Sequence, residues 1–191
     1  MTDRQHARPV ADPTGRRGAL RAIALGIGGV LTCRPAWSHD LPAVRRLTLH
    51  NTHTMESLSV DYASASGYHA EALVAINRLL RDHRNGEVHA MDPALLDLLH
   101  AAAVHADREP EFEVISGYRS PATNAMLHEH SHGVAAHSLH IEGRAIDVRL
   151  AGCDIARLRD VGLALGRGGV GYYRASGFVH LDTGRPRTWA G

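Results

Sequence analysis

The sequence predicts an α+β domain with a small central antiparallel sheet and flanking helices. Period-2 alternation marks strands at 45–63, 144–150 and 177–184. Helical spacing of apolar residues marks helices at 69–82, 92–106 and 155–165. The residues with chemical potential fall on the strands and their loops, not on the helical stripes.

Taken in order, "RRLTLHNTHTMESLSVDYA" alternates on both sides of Thr54-Met55-Glu56, with Leu47 and Leu49 facing Leu58, Val60 and Tyr62, and reads as an antiparallel hairpin. Gly67 marks the turn out of it, and Leu73, Val74, Ile76, Leu79 and Leu80 form the stripe of a first helix. "HRNGEV" is a turn. Asp92-Pro93 opens a second helix, with Asp as the cap and Pro in the first position, where its missing N–H costs nothing. Glu113 to Ile115 is a short strand ending in "SGYRSPATN"; 122–130 is helical and "SHGVAAHS" a loop. Strand 144–150 puts Ala145, Asp147 and Arg149 on one face and Ile146, Val148 and Leu150 on the other. The helix at 155–165 ends in the glycines of "GRGGVG", which read as a turn without the context of a phosphate loop. "GFVHLDTG" is the last strand, and 185–189 has no assigned element.

The chain of 191 residues suits one sizeable core. Its net charge is +1, with six Arg against Asp3 and Asp12 in residues 1–38, so the remainder is slightly acidic. That balance argues against nucleic acid as a partner. Arg16-Arg17 followed by a short, Gly-diluted apolar run and Ala36-Trp37-Ser38 resembles a twin-arginine export signal. The expected division is therefore an export signal over 1–38 and a folded domain over 39–191, located in the periplasm. The apolar run is too short for a permanent membrane span. A disordered basic arm is the alternative, and Val30-Leu-Thr-Cys33 also reads as a lipobox with Thr32 in place of a smaller residue. Loss of Cys33 would leave Cys153 alone, so no internal disulfide is expected. Nothing marks an oligomer interface, and the domain is expected to be a monomer.

Fifteen His residues are many for this length, and imidazole is the commonest metal ligand. His140 and Asp147 stand either side of Gly143, which permits a sharp turn and lets the two converge. His180 and Asp182 are two apart and share a strand face. An imidazole from His180 completes a His-Asp-His set with an open fourth position, the pattern of a catalytic zinc. The alternatives are a His–Asp pair without metal and a core histidine. His128 and His132, one helical turn apart, are compatible with a second metal but read more simply as solvated histidines.

Ser138-x-His140-x-x-Gly143-x-Ala145-x-Asp147 resembles the zinc signature of the LAS metallopeptidases, which include D-Ala-D-Ala carboxypeptidases and hedgehog domains. With "SGYRSPATNAML" and "GGVGYYRASGFVHLDTGRPRTW" in order around it, the chain is similar to the murein endopeptidase K-type branch of the M15-like peptidases over about 45–190. The resemblance implies a hedgehog/D-Ala-D-Ala-peptidase-like fold and one Zn2+ on His140, Asp147 and His180. It implies cleavage of murein cross-links of the D-Ala–diaminopimelate type, with Arg119 in the cleft binding substrate or steadying an oxyanion. Ser138 then braces the loop or contacts substrate, and His137 lines the cleft. The general base that several relatives place three to five residues before the last ligand is missing, since those positions are Gly177, Ser176 and Ala175. Asp182 is the remaining candidate, with orientation of the His180 ring as its other role. A non-catalytic, zinc-stabilised wall-binding module of the same fold is the rival reading.

Overall fold

The computed structural model of the chain describes residues 44–130, 135 and 137–191. The export segment expected over 1–38 and His132 of the histidine pair lie outside the described residues. Eight strands and four helices follow in the order β1 (Arg45–Asn51), β2 (Ser57–Ser64), β3 (Gly67–Tyr68), α1 (Ala70–Leu79), α2 (Pro93–His105), β4 (Glu111–Ser116), α3 (Pro121–His130), β5 (Ala145–Leu150), α4 (Ile155–Leu165), β6 (Gly169–Tyr173), β7 (Phe178–Asp182) and β8 (Arg187–Ala190).

The strands form one sheet in the order β3-β2-β1-β4-β5-β7-β6-β8. The α+β class holds, but the sheet is neither small nor antiparallel throughout. β4 lies parallel to β1 and β8 parallel to β6. The first parallel pair arises because α1 and α2 carry the chain back to the starting edge before β4 begins, a crossover that a hairpin cannot make. The second arises because β7 occupies the slot between β5 and β6, leaving β8 the outer edge of β6. The "GRGGVG" segment is also corrected. Its last three residues start strand β6, and the tail at 185–189 contributes strand β8.

Both helix starts read from the sequence are in place. The Asp92 carboxylate accepts from Ala94 N–H at 2.9 Å with Pro93 at N1, and α4 is capped by Asp154 through Ala156 N–H and closed by Gly166 in the left-handed region. α1 packs on β2, α2 on β1 and β5, and α4 on β5, β6 and β7. They cover one face of the sheet, where Leu47, Leu49, Phe112, Val114, Ile146, Val148, Val179 and Leu181 are fully buried. Burying those side chains contributes roughly 1.5–3 kcal/mol each before the entropy of ordering is set against it. The opposite face carries Asp147, His180 and Asp182, as alternation requires. No helix among the described residues is long and apolar enough to cross a membrane.

Candidate metal centre

One cross-strand row on the open face builds the centre. Ser116 pairs with Asp147, Asp147 with His180, His180 with Gly171, and Gly171 with Trp189. Four strand pairings thus set polar residues from distant parts of the chain side by side. His140 enters from above on a single helical turn. Ile141 N–H bonds to Ser138 O, Gly143 N–H to His140 O, and Arg144 N–H closes the turn on Leu139 O. Gly143, with φ of 67°, makes that closure possible, and a Cβ there would fall 2.3 Å from the Ala90 carbonyl oxygen. Any other residue would meet both the left-handed strain and that backbone atom.

His140 Nε2, Asp147 Oδ1 and His180 Nδ1 converge. His140 Nε2 is 3.2 Å from His180 Nδ1 and 3.3 Å from Asp147 Oδ1, and His180 Nδ1 is 2.8 Å from Asp147 Oδ1. All three residues are buried. The far nitrogen of each ring faces an acceptor. His140 Nδ1 donates to the Gly117 carbonyl at 2.7 Å, and His180 Nε2 donates to Asp182 Oδ2 at 3.1 Å. Those partners fix the tautomers, so the two near nitrogens present lone pairs to one another and to a carboxylate oxygen. Such a donor set calls for a cation. Ligand atoms on a tetrahedral ion with bonds of about 2.0–2.1 Å lie about 3.3 Å apart, close to the spacing observed. The residues fit a zinc-like ion, which His140, Asp147 and His180 could hold.

The electrostatics set the two imidazoles apart. Burial works to raise the Asp147 carboxyl, but the neighbouring imidazoles outweigh it and hold the group well below the usual carboxylate range. Burial pushes His140 down. His180 moves the other way, because against the same burial it bonds both Asp147 and Asp182. The difference has a plain cause: His140 faces a carbonyl on its far side, whereas His180 lies between two carboxylates.

The remaining predicted residues separate into those at the cleft and one behind it. Arg119, His137, Ser138 and Asp147 line a common cleft with the aromatic residues Tyr173 and Trp189. Arg119 Nη2 reaches Ser116 Oγ at 3.2 Å and the second carboxylate oxygen of Asp147 at 3.4 Å, so it steadies a ligand as well as facing the cleft. Ser138 Oγ accepts a long bond from His140 N–H at 3.4 Å, in keeping with a loop brace. Glu142 is exposed and paired with Arg144.

Asp182 was expected either as a general base or as the partner that orients the His180 ring, and its contacts are those of the second. Its side chain is fully buried. Oδ1 accepts from Gly169 N–H, Gly184 N–H and Arg187 Nη1, while Oδ2 accepts from His180 Nε2 and Arg187 Nη2. Despite burial, those five donors hold its carboxyl well below the usual range. The carboxylate is thus bonded behind the His180 ring and is not among the residues that line the cleft.

Arg187 and Trp189 were not singled out by sequence reasoning. Both reach from β8 across β6 toward β7, over Gly169 and Gly171. A Cβ on Gly169 would lie 2.4 Å from Asp182 Oδ2, and one on Gly171 would lie 2.7 Å from the Trp189 ring. The Gly-x-Gly-x-Tyr alternation opposite Phe-x-His-x-Asp was the available signal: it is a strand period with two blank positions.

The fold and the donor set define an α+β domain that presents a buried His-Asp-His centre at the floor of an open cleft. The chain belongs to the Peptidase_M15_2 family, described as peptidoglycan L,D-endopeptidase MepK, whose model matches residues 40–189. A Haemophilus influenzae protein named "Probable peptidoglycan L,D-endopeptidase MepK" is 42% identical over 174 residues, covering 91% of this chain and 93% of that one. The peptidoglycan L,D-endopeptidases MepK of Escherichia coli K12 and of Shigella flexneri are each 37% identical over 175 residues, covering 91% of this chain and 96% of theirs. No solved structure matches the chain significantly.

Proposed function

We propose that this chain is a zinc-dependent peptidoglycan hydrolase that cuts an amide bond of the L,D type in murein peptide cross-links. The observation that carries the reading is the convergence of three lone-pair donors, each oriented from behind, at the floor of a cleft in a chain of this family. A divalent ion held there supplies Lewis acidity, lowering the pKa of water toward neutrality and polarising a carbonyl. The chain's own residues do the rest. His140, Asp147 and His180 bind the ion, while the Gly117 carbonyl and Asp182 keep the imidazoles turned toward it. Arg119 holds Asp147 and turns positive charge to the cleft, where it suits a developing oxyanion or a substrate carboxylate. Because Asp182 is enclosed, the role of carrying a proton to the departing amine passes to His137, which lines the cleft.

The bond follows the printed names of the relatives, which specify L,D-endopeptidases. The D-Ala–diaminopimelate bond expected from the sequence is the competing assignment. Export to the periplasm by the segment 1–38 belongs to the same proposal, because murein lies outside the cytoplasmic membrane. A reporter fused to that segment is expected to be exported, and to be retained when Arg16 and Arg17 are both changed to Lys.

The decisive experiment incubates purified protein with cross-linked muropeptides, with and without chelator, and pairs metal analysis with product masses. The expected result is one zinc per chain, chelator-sensitive cleavage and products split at an L,D bond. Products split at D-Ala–diaminopimelate would move the assignment to the other bond. Bound zinc without cleavage would favour a zinc-stabilised binding module.

A further inference from the structure

Beside the metal centre, the cleft has a wall that the proposed chemistry leaves unused. Tyr173 and Phe178 stack with ring centroids 4.6 Å apart, and the Trp189 ring stands 5.1 Å from that of His180. Trp189 is fixed on three sides. Gly171 leaves room beneath its ring, Arg187 lies over it at 4.9 Å, and its indole N–H donates to Tyr173 Oη at 3.0 Å.

That last bond has a direction. An indole N–H can only donate, so the phenol oxygen must accept, and the phenol keeps its own proton to give. No acceptor for that proton is found among the described residues, and the half-buried Tyr173 side chain lines the cleft together with Arg119. Tyr173 sits two residues along β6 from Gly171, so its row is displaced from the metal row by about 6.5–7 Å of strand. One extended peptide unit spans roughly half that distance, so the wall is reached by groups next to the bond at the metal.

Resting on the hydrolase reading, we infer that Tyr173 is a substrate-binding residue. Its O–H, aimed by Trp189, donates to an acceptor oxygen of the bound peptide, a carbonyl or a carboxylate, one or two residues from the scissile bond. The apolar part of the same peptide segment lies on the Tyr173–Phe178 stack.

The test measures equilibrium binding and hydrolysis of muropeptides by the metal-loaded protein and its Tyr173→Phe variant, which keeps the ring and its stacking. A carboxylate partner predicts roughly tenfold or greater weakening with free-acid muropeptides and none with amidated ones; a carbonyl partner predicts a loss of a few fold with both. Metal content is expected to stay unchanged, and the thermal midpoint to fall by no more than the loss of one part-buried hydrogen bond. Less than twofold weakening with both ligands overturns the inference. The double variant Tyr173→Phe/Trp189→Phe removes the indole N–H that the single variant orphans. Persistence of the loss there supports the inference, and restored binding overturns it. If the wild type binds muropeptides without cutting them and Tyr173→Phe still weakens binding, the hydrolase reading fails while this assignment stands. If the wild type neither binds nor cuts, both fail.

Discussion

Asp182 shows how much one residue's role depends on which way its carboxylate faces. The residue satisfies Gly169, Gly184, Arg187 and His180 at once, so its influence on the centre passes through the His180 ring. Asp182→Asn replaces one acceptor oxygen with a donor facing donors. We expect urea unfolding to show a loss of about 1–3 kcal/mol and competition titration to show metal affinity reduced by about 10–100-fold. Full metal affinity and stability with turnover lost would restore Asp182 as a base. His83 offers a residue-scale effect away from the centre. Burial first, and then the stacked His53 ring 3.9 Å away, pull its pKa down to about 4. The fold thus favours neutral His83, while the unfolded chain protonates near pH 6.5. Between those values the unfolded state binds more protons, so this contribution to stability is complete above about pH 6.5 and is lost as pH falls toward 4. Denaturation midpoints of His83→Asn are expected to fall less over that window than those of the wild type.

At the scale of elements, β6 and β8 decide the shape of the cleft. Glycines at alternate positions of β6 leave a channel along which β8 lays Arg187 and Trp189. Gly171→Ala puts a methyl into the Trp189 ring, and overpacking of this kind costs about 1–3 kcal/mol. Trp189 is expected to leave the His180 ring and Tyr173 Oη, with its fluorescence shifting to the red and the thermal midpoint falling. An unchanged spectrum and midpoint would show that the strand can absorb the methyl, and that the channel is not what seats the indole. The β6 strand was hidden in the sequence because glycine runs ordinarily signal turns. The short tail of β8 carries no alternation strong enough to mark a strand. By contrast, α2 and α4 were legible to within a residue or two, α2 because its cap at Asp92 acts through a bond to a residue two positions away and α4 because its apolar spacing ends in glycine.

Over the whole molecule, the candidate metal centre brings together β5, β7 and the turn at 138–143, elements also tied by backbone pairing and by the turn's bonds to 92, 117 and 119. An ion bound there stabilises the folded state by mass action, about 4 kcal/mol at a thousandfold excess over its Kd. For a domain of this size that corresponds to a rise in Tm of roughly 8–16 °C. Calorimetry before and after chelation is expected to show that drop, and zinc is expected to restore it. A Tm indifferent to chelator would mean that the three ligands hold their places without an ion.

That His140, Asp147 and His180 would converge could be read from the sequence alone. Their placement depends on local rules: a glycine that permits one tight turn, and strands that alternate their faces. The Asp92 cap and the apolar face of the sheet were legible for the same reason. What tertiary structure alone decided were matters of register between segments far apart in the chain. The Asp147–His180 pairing spans 33 residues and the His140–His180 contact spans 40. Which imidazole nitrogen faces the centre, whether Asp182 looks into the cleft or behind it, and whether the last residues form a wall all follow from those pairings. Local periodicity specifies which side chains share a face but carries no information about which strand lies next to which. That neighbour relation set the Asp182 carboxylate behind the His180 ring and made a glycine run the bed for Trp189.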